Sequence, residues 1–232
     1  MTVADNGVVG VAGVVGVVGV ADVRRRQMLQ AAVAVIVERG FPETRITDVA
    51  ERACASPALV IYYFKTKDNL LVEALRYAED LFYYAWARRT EALGSAHQRL
   101  SEIVRMSCNP GADDGGSAES RVLWLDLWAQ SVRHPEVARV REECDQRWRQ
   151  TIAALVADGQ RAGEFADVVP DDFALSFSAL LDGLGIQVAL GDSVVTGDRA
   201  FALCMRFAGQ QLGFDPRFST GGVDVDLPGG AL

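Results

Sequence analysis

Residues 45–68, RITDVAERACASPALVIYYFKTKD, group hydroxyl, phenol and ammonium side chains that could donate hydrogen bonds to phosphates and base edges. The segment predicts two short helices joined by a tight turn at Cys54 and Ala55. A short helix presented to solvent, with cations at its end, suits the DNA major groove. The chemistry predicted for this segment is therefore binding by a regulator and not catalysis by an enzyme.

Turn and cap residues define the predicted ends of these two helices. Thr47 is expected to cap the first helix, because its hydroxyl can accept a hydrogen bond from an unpaired backbone N–H. Ser56 is the second candidate cap, and Pro57 suits the first position of a helix running to about Phe64. Val60 and Phe64 lie four residues apart and should pack inward.

Two helices this short cannot bury a core alone and need their neighbours. Residues 23–40 carry apolar side chains at spacings typical of an amphipathic helix, and we expect Gly40 to be its C-cap residue. Residues 67–93 contain no glycine or proline and predict one long helix. The order is helix, helix-turn-helix and long helix, which describes a compact DNA-binding head with a connector.

Residues 24–70 resemble the N-terminal domain of TetR-type transcriptional regulators. The resemblance rests on the RRR start, the Ala31-Ala32 pair, the run RGFPETRITDVAERA, Ser56 and the run YYFKTKDNL. It implies an all-α, dimeric, cytoplasmic protein that binds double-stranded operator DNA through the head and a small ligand through the C-terminal domain. By resemblance, the expected DNA-binding residues are Arg45, Thr47, Ser56, Pro57, Ala58, Leu59, Tyr62, Tyr63, Lys65 and Lys67, with Arg45, Thr47 and Lys67 on phosphates.

Three positions depart from the family pattern. Glycine is usual where Cys54 stands, Thr or Ser is common at Leu59, and a phosphate-contacting Tyr is common at Ile61. Leu59 could contact a thymine methyl instead. The plain structural alternative for Tyr62, Tyr63 and Phe64 is that they are core aromatics, which we expect for Phe64 and leave open for the two tyrosines.

Charge is distributed unevenly along the chain. Residues 24–67 have a net charge of +4, whereas residues 68–232 have a net charge of −10. Phosphate attraction is local, since it is screened within about 10 Å at 0.1 M salt. An acidic protein can therefore bind DNA through a basic head. Arg24, Arg25 and Arg26 could contact phosphates or simply form a solvated helix start.

Other chemistry has little support in the sequence. The four cysteines, at 54, 108, 144 and 204, have no CxxC spacing, and the two histidines are isolated. We expect no metal site and no cofactor. No glycine-rich phosphate loop, nucleophile motif or paired acids indicate an enzyme. Cys108 could sense an electrophile, although a buried small hydrophobe is the simpler interpretation.

The two ends of the chain have biased composition. Residues 7–21 repeat glycine at every third position and lack the preceding basic residue of a signal peptide. The apolar run is about 15 residues, too short for a membrane span, and no membrane association is expected. We predict tails at 1–22 and 215–232, a head at 23–68, a ligand-binding and dimerisation body at 69–214, and a flexible loop at 109–117.

The body is predicted to form further helices, so the whole chain is predicted to be all-α with about nine helices. Its runs WLDLWAQSVRHPEVARV, RWRQTIAALVADGQRAGEF and ALLDGLGIQVAL resemble the C-terminal domain of BetI-like members of the same family. The resemblance implies a homodimer made by the last two helices, predicted at 170–190 and 198–213. Gly183 and Gly185 would permit close approach of those helices, although an ordinary intrachain core is the alternative.

A ligand pocket between the body helices should be mostly apolar. The candidate lining residues are Phe82, Trp86, Met106, Trp124, Trp128, Trp148 and Phe177. Three tryptophans around one cavity suit a flat apolar or a cationic ligand. The functional expectation is a dimeric repressor released from a palindromic operator when a ligand shifts helix 67–93. The alternatives are an activator, or a helical interaction or sensing module without a small-molecule inducer.

Overall fold

The computed structural model describes residues 20–108 and 118–215 of the chain. Within those residues the fold consists of nine helices and no strand, which confirms the all-α prediction. The helices are α1 (Val20–Arg39), α2 (Ile46–Arg52), α3 (Pro57–Phe64), α4 (Lys67–Thr90), α5 (Ala96–Cys108), α6 (Ala118–Ser131), α7 (Pro135–Arg161), α8 (Pro170–Ala189) and α9 (Gly197–Leu212).

Most helix ends lie within a few residues of the predicted ones. Helix α1 begins at Val20, three residues early, and the rest of the predicted N-terminal tail, the loop 109–117 and residues 216–232 fall outside the described residues. Helix α4 ends at Thr90, three residues early, where the threonine hydroxyl donates to the Trp86 carbonyl at 2.9 Å. Helix α6 ends at Ser131, because the N–H groups of Arg133 and His134 both turn back to Gln130.

Of the two N-caps predicted in the helix-turn-helix, one is confirmed and the other is wrong. Ser56 caps α3 as predicted, since its hydroxyl accepts the Leu59 N–H at 3.2 Å and Pro57 follows at the first position. The Thr47 cap is wrong, because α2 begins at Ile46 after the N-cap residue Arg45, which places Thr47 inside the first turn. At this start the Asp48 carboxylate accepts the Arg45 N–H at 3.3 Å, and Ile46 packs partly against the head core.

The turn between α2 and α3 contains a non-glycine residue in the left-handed region. Cys54 has φ +50° and is exposed. A Cβ in that conformation costs about 1–2 kcal/mol, whereas glycine adopts it freely. The cysteine at position 54, where the family usually has glycine, therefore carries a conformational cost.

We predict that Cys54→Gly raises the thermal unfolding midpoint by a few degrees, which corresponds to about 1 kcal/mol in a chain of this size. Cys54→Ala is the matched control, because it removes the thiol but keeps the Cβ, and it should leave the midpoint unchanged. Differential scanning calorimetry distinguishes them, and equal midpoints for the two variants would show that Cys54 is not strained.

Two separate hydrophobic cores hold the helices together. The first core joins α1–α4 to Leu123 and Leu127 of α6 and to Val137 and Val140 of α7. The second core joins α5, the later part of α7, α8 and α9. Helix α4, with 24 residues and a length of about 36 Å, runs from the first core toward the second. The head is thus continuous with part of the body.

Helix α8 has one buried and one exposed face. Phe173, Phe177 and Leu181 are buried in the second core, whereas Leu175 is exposed. By length and composition α8 could cross a membrane, and it is the one described helix of which this is true. The same composition is expected of a core helix, and the burial of its aromatic face fits that explanation.

Candidate nucleic-acid interface and ligand cavity

The ten residues expected to bind DNA lie on one continuous stretch from the start of α2 to the start of α4. Eight of them are exposed, and two, Tyr63 and Lys67, are half-buried. Phe64 is fully buried, as predicted, and Val60 beside it is fully buried as well. Their burial fixes the rotation of α3, so that the opposite face of the helix points to solvent.

The exposed face of α3 is largely apolar and aromatic. Leu59, Ile61 and Tyr62 are 36%, 42% and 69% exposed. Tyr62 is thus a surface residue, whereas Tyr63 packs partly against the first core. Exposed apolar side chains on a recognition helix can read thymine methyl groups, which is how Leu59 could take the place of a hydroxyl residue.

Two lysines end the interface. The Lys65 ammonium donates to the Tyr62 carbonyl at 2.9 Å and lies 5.1 Å from the centre of the Tyr62 ring. The Lys67 ammonium donates to the Pro42 carbonyl at 2.9 Å, which ties the start of α4 to the turn after α1. Thr66 caps α4 by accepting the Asn69 N–H at 3.1 Å. The Lys65 ammonium therefore sits beside the exposed Tyr62 of α3, whereas the Lys67 ammonium sits at the turn after α1.

The remaining head arginines divide into paired and unpaired groups. Arg39 pairs with Asp48 at 2.9 Å, Arg52 pairs with Glu38 at 2.5 Å, and Arg25 pairs with Glu73. Arg45 is exposed at the start of α2 and makes no ion pair within the described residues. Its charge is therefore available to a phosphate.

A cavity of about 360 Å³ opens between α4, α5, α6, α7 and α8. Aromatic side chains from three helices form much of its wall, and the Phe82 and Trp148 rings meet edge to face at 5.8 Å. Some α8 lining residues, including Leu175 and Asp182, are exposed, so the cavity is open to solvent along α8. Its size and apolar walls are those of a small-molecule site.

Five of the seven predicted ligand-binding residues line this cavity, and two do not. The lining residues are Phe82, Met106, Trp124, Trp128 and Trp148. Phe177 is fully buried in the second core, where its ring stacks on that of Phe173 at 5.1 Å. Trp86 packs against the same core, and its indole N–H points to the Arg99 carbonyl at 3.5 Å.

The acidic groups of the cavity were not among the predicted residues. Glu79, Asp145 and Asp182 all line it, together with Arg149. Burial raises the pKa of Glu79 and the pKa of Asp145 above their ordinary values. The carboxyl of Asp182 is partly desolvated by the cavity wall although the residue is open to solvent on one side, and this desolvation, reinforced by the nearby Asp145 charge, raises the pKa of Asp182 to about 6.

A thiol and a phenol lie beside these acids. The Cys144 thiol donates to the Glu79 carboxylate at 3.3 Å, and burial raises the pKa of Cys144 and of Tyr83. Cys144 is therefore a poor nucleophile, because its reactive thiolate is disfavoured. No group of three or more potential ligand side chains is placed to hold a metal ion in the parts of the chain that the structure describes.

One hydrogen bond ties the cavity wall to the head. The Asp126 carboxylate, on α6 between the cavity residues Trp124 and Trp128, accepts the Phe41 N–H at 2.6 Å. Phe41 follows Gly40, whose φ of +80° turns the chain after α1. A Cβ at Gly40 would lie 3.4 Å from the Asp126 oxygen, so the turn and the carboxylate are closely fitted.

A solvent-facing helix-turn-helix on a helical body with a small-molecule cavity defines a ligand-binding transcriptional regulator. Residues 28–74 match the bacterial regulatory proteins of the tetR family, and residues 96–213 match the C-terminal domain of BetI-type transcriptional repressors. The chain belongs to the TetR family, with a BetI-type C-terminal domain. It is 30% identical over 195 residues to the HTH-type transcriptional regulator BetI of Escherichia coli, covering 83% of this chain and 96% of that protein.

Two solved structures share both fold and sequence with this chain. One, assigned as a transcriptional regulator from Saccharomonospora viridis and crystallised with choline, is 31% identical with a TM-score of 0.71, covering 81% of this chain and 96% of that one. Another, assigned to the TetR family, comes from a Rhodococcus species and is 26% identical with a TM-score of 0.73, covering 82% and 98%. The predicted family is thereby confirmed.

Proposed function

We propose that this protein is a cytoplasmic, dimeric repressor that leaves a palindromic operator when a small organic cation occupies its cavity. The observation that carries the proposal is the aromatic and acidic cavity between helices that also pack the DNA-binding head. Tryptophan faces attract cations, and the carboxylates that line the cavity complement their charge. The choline bound by the Saccharomonospora viridis protein makes choline the first effector to test.

The signal route we propose passes along two helices. Helix α4 carries Phe82 and Tyr83 in the cavity and Leu70 and Leu71 in the first core. Helix α6 contributes Trp124 and Trp128 to the cavity wall, and its Asp126 carboxylate accepts the Phe41 N–H. A ligand that favours one arrangement of α4 and α6 thereby favours one position of the head, and operator affinity falls in proportion to that difference.

Dimerisation through α8 and α9 is part of the proposal. A Cβ at Gly183 or Gly185 would meet no atom within 4 Å, so neither glycine is needed for packing inside the protomer. Glycine in the middle of a helix costs stability and needs another reason. Gly185 lines the cavity, so close approach of a partner helix is the reason we assign to Gly183, and a two-fold dimer would present two α3 helices to successive major grooves.

Operator binding is predicted to depend on Lys67. Lys67→Ala should weaken binding to all duplexes alike, because the lost contact is to a phosphate and carries no sequence information. The plot of log affinity against log salt concentration should become shallower by about one unit of slope for each DNA-binding head, because one phosphate contact is lost. Fluorescence anisotropy of labelled duplexes between 50 and roughly 200 mM salt measures this slope.

Arg88→Ala is the matched control for this experiment. Arg88 is an exposed cation at the other end of the same helix, about 30 Å along its axis from Lys67. Its removal should leave both affinity and slope unchanged. Equal slopes for Lys67→Ala and the unmodified protein would mean that the start of α4 does not contact DNA.

A further inference from the structure

Ser178 presents an unpaired hydroxyl to the cavity. The side chain is 6% exposed, lines the cavity wall on α8, and its oxygen has no hydrogen-bond partner among the described residues. A helical serine normally satisfies itself on a carbonyl one turn back. A buried hydroxyl left without a partner is destabilising, so its presence calls for a partner supplied from outside the chain.

Asp182 lies one helical turn beyond Ser178 and faces the same cavity. It makes no ion pair or hydrogen bond within the described residues, whereas Asp145 across the cavity pairs with Arg141. The Asp182 side chain is also reached by solvent from the open side of the cavity. The α8 wall thus carries one unpaired hydroxyl and one unpaired carboxylate at adjacent positions.

We propose that Ser178 and Asp182 form the specificity-determining pair of the cavity, with Asp182 recognising the charge of an organic cation and Ser178 its hydrogen-bonding group. This inference rests on the proposed function and deepens it by assigning the two residues of α8 that would recognise the two ends of such a cation. The tryptophans at 124, 128 and 148 surround the cationic carbon skeleton from the other walls.

Charged groups from each neighbouring helix decide how this pair titrates. Asp145 and Arg149 face Asp182 from α7, and Glu79 and Tyr83 line the cavity from α4. The lining residues of α5 and α6 carry no charge. Because the pKa of Asp182 is about 6, the carboxylate is largely ionised at pH 7.5 and largely protonated at pH 5. The raised pKa of Glu79 acts in the same direction.

Cation affinity should therefore fall as the pH falls. A single group with this pKa predicts about tenfold weaker binding at pH 5 than at pH 7.5. Choline is a suitable probe, because its quaternary charge does not titrate and any pH dependence belongs to the protein. Tetramethylammonium lacks the hydroxyl, and 3,3-dimethylbutan-1-ol is the uncharged carbon analogue of choline.

The test is titration of the full chain, without DNA, by calorimetry with these three probes. We expect choline to bind more tightly than either analogue, and Asp182→Asn to weaken choline about tenfold while leaving the uncharged alcohol unaffected. Ser178→Ala should weaken choline but not tetramethylammonium. Asp182→Glu should retain most of the affinity, and Asp172→Asn, an exposed acid in the first turn of α8, should retain all of it.

Equal choline affinity of Asp182→Asn and the unmodified protein would overturn the inference, as would failure of the unmodified protein to bind either cation. A thermal unfolding curve for each variant establishes that it is folded. If choline binds as expected but does not release operator DNA, the proposed function fails while the recognition pair stands. If operator release occurs with another ligand and Asp182 has no effect, the recognition pair alone fails.

Discussion

Gly183→Ala is expected to raise the dissociation constant of the dimer at least tenfold. Overpacking by one methyl group costs about 1–3 kcal/mol at a tight contact, and a two-fold interface contains the site twice. About 1.4 kcal/mol corresponds to a factor of ten. Sedimentation velocity over a range of protein concentrations measures the dissociation constant directly.

The same substitution has the opposite effect if α8 faces solvent at this point. No atom of the protomer would meet the new methyl within 4 Å, and alanine favours a helix over glycine by about 1 kcal/mol. A variant that melts at a higher temperature and dimerises as before would therefore contradict the proposed interface. The sign of the change in stability distinguishes the two cases without a further control.

Asp126→Ala is expected to uncouple operator release from ligand binding. The variant loses the bond from the Phe41 N–H to the carboxylate but keeps Trp124 and Trp128 in the cavity wall. Choline affinity should change less than about twofold. The ratio of operator affinities without and with choline should shrink by about 3- to 30-fold, the range expected when a coupling element worth 0.5–2 kcal/mol is removed.

Asp126→Asn is the matched variant for this prediction. Its amide oxygen can still accept the Phe41 N–H, so it should keep most of the coupling. Parallel anisotropy titrations of both variants with operator DNA and choline make the comparison. Full release of Asp126→Ala by choline would rule out this hydrogen bond as a route between cavity and head.

Local signals in the sequence were sufficient for the head. Ser56 followed by Pro57 located the start of α3, and the spacing of Val60 and Phe64 determined which face is buried. The Thr47 cap failed because a hydroxyl at a plausible position does not reveal where the helix begins. In the structure the Asp48 carboxylate accepts the Arg45 N–H at 3.3 Å, with Arg45 as the N-cap residue.

The cavity depends on contacts that no single segment of sequence contains. Large aromatic residues were good candidates for its wall, yet Phe177 lies in the second core, where its ring packs on Phe173 of the same helix and on Phe207 of α9. Asp182 and Ser178 gave no signal of their own in the sequence. Their spacing of four residues on the apolar helix α8 is the one clue that could have singled them out.

The most direct test of the account is whether choline and operator DNA exclude each other. An operator selected from random duplexes by the protein itself can be titrated by fluorescence anisotropy with and without saturating choline. We predict that choline lowers operator affinity tenfold or more, and that operator lowers choline affinity by the same factor, as linkage requires. Unchanged operator affinity with choline and with every cation in a broad library would contradict ligand-controlled repression.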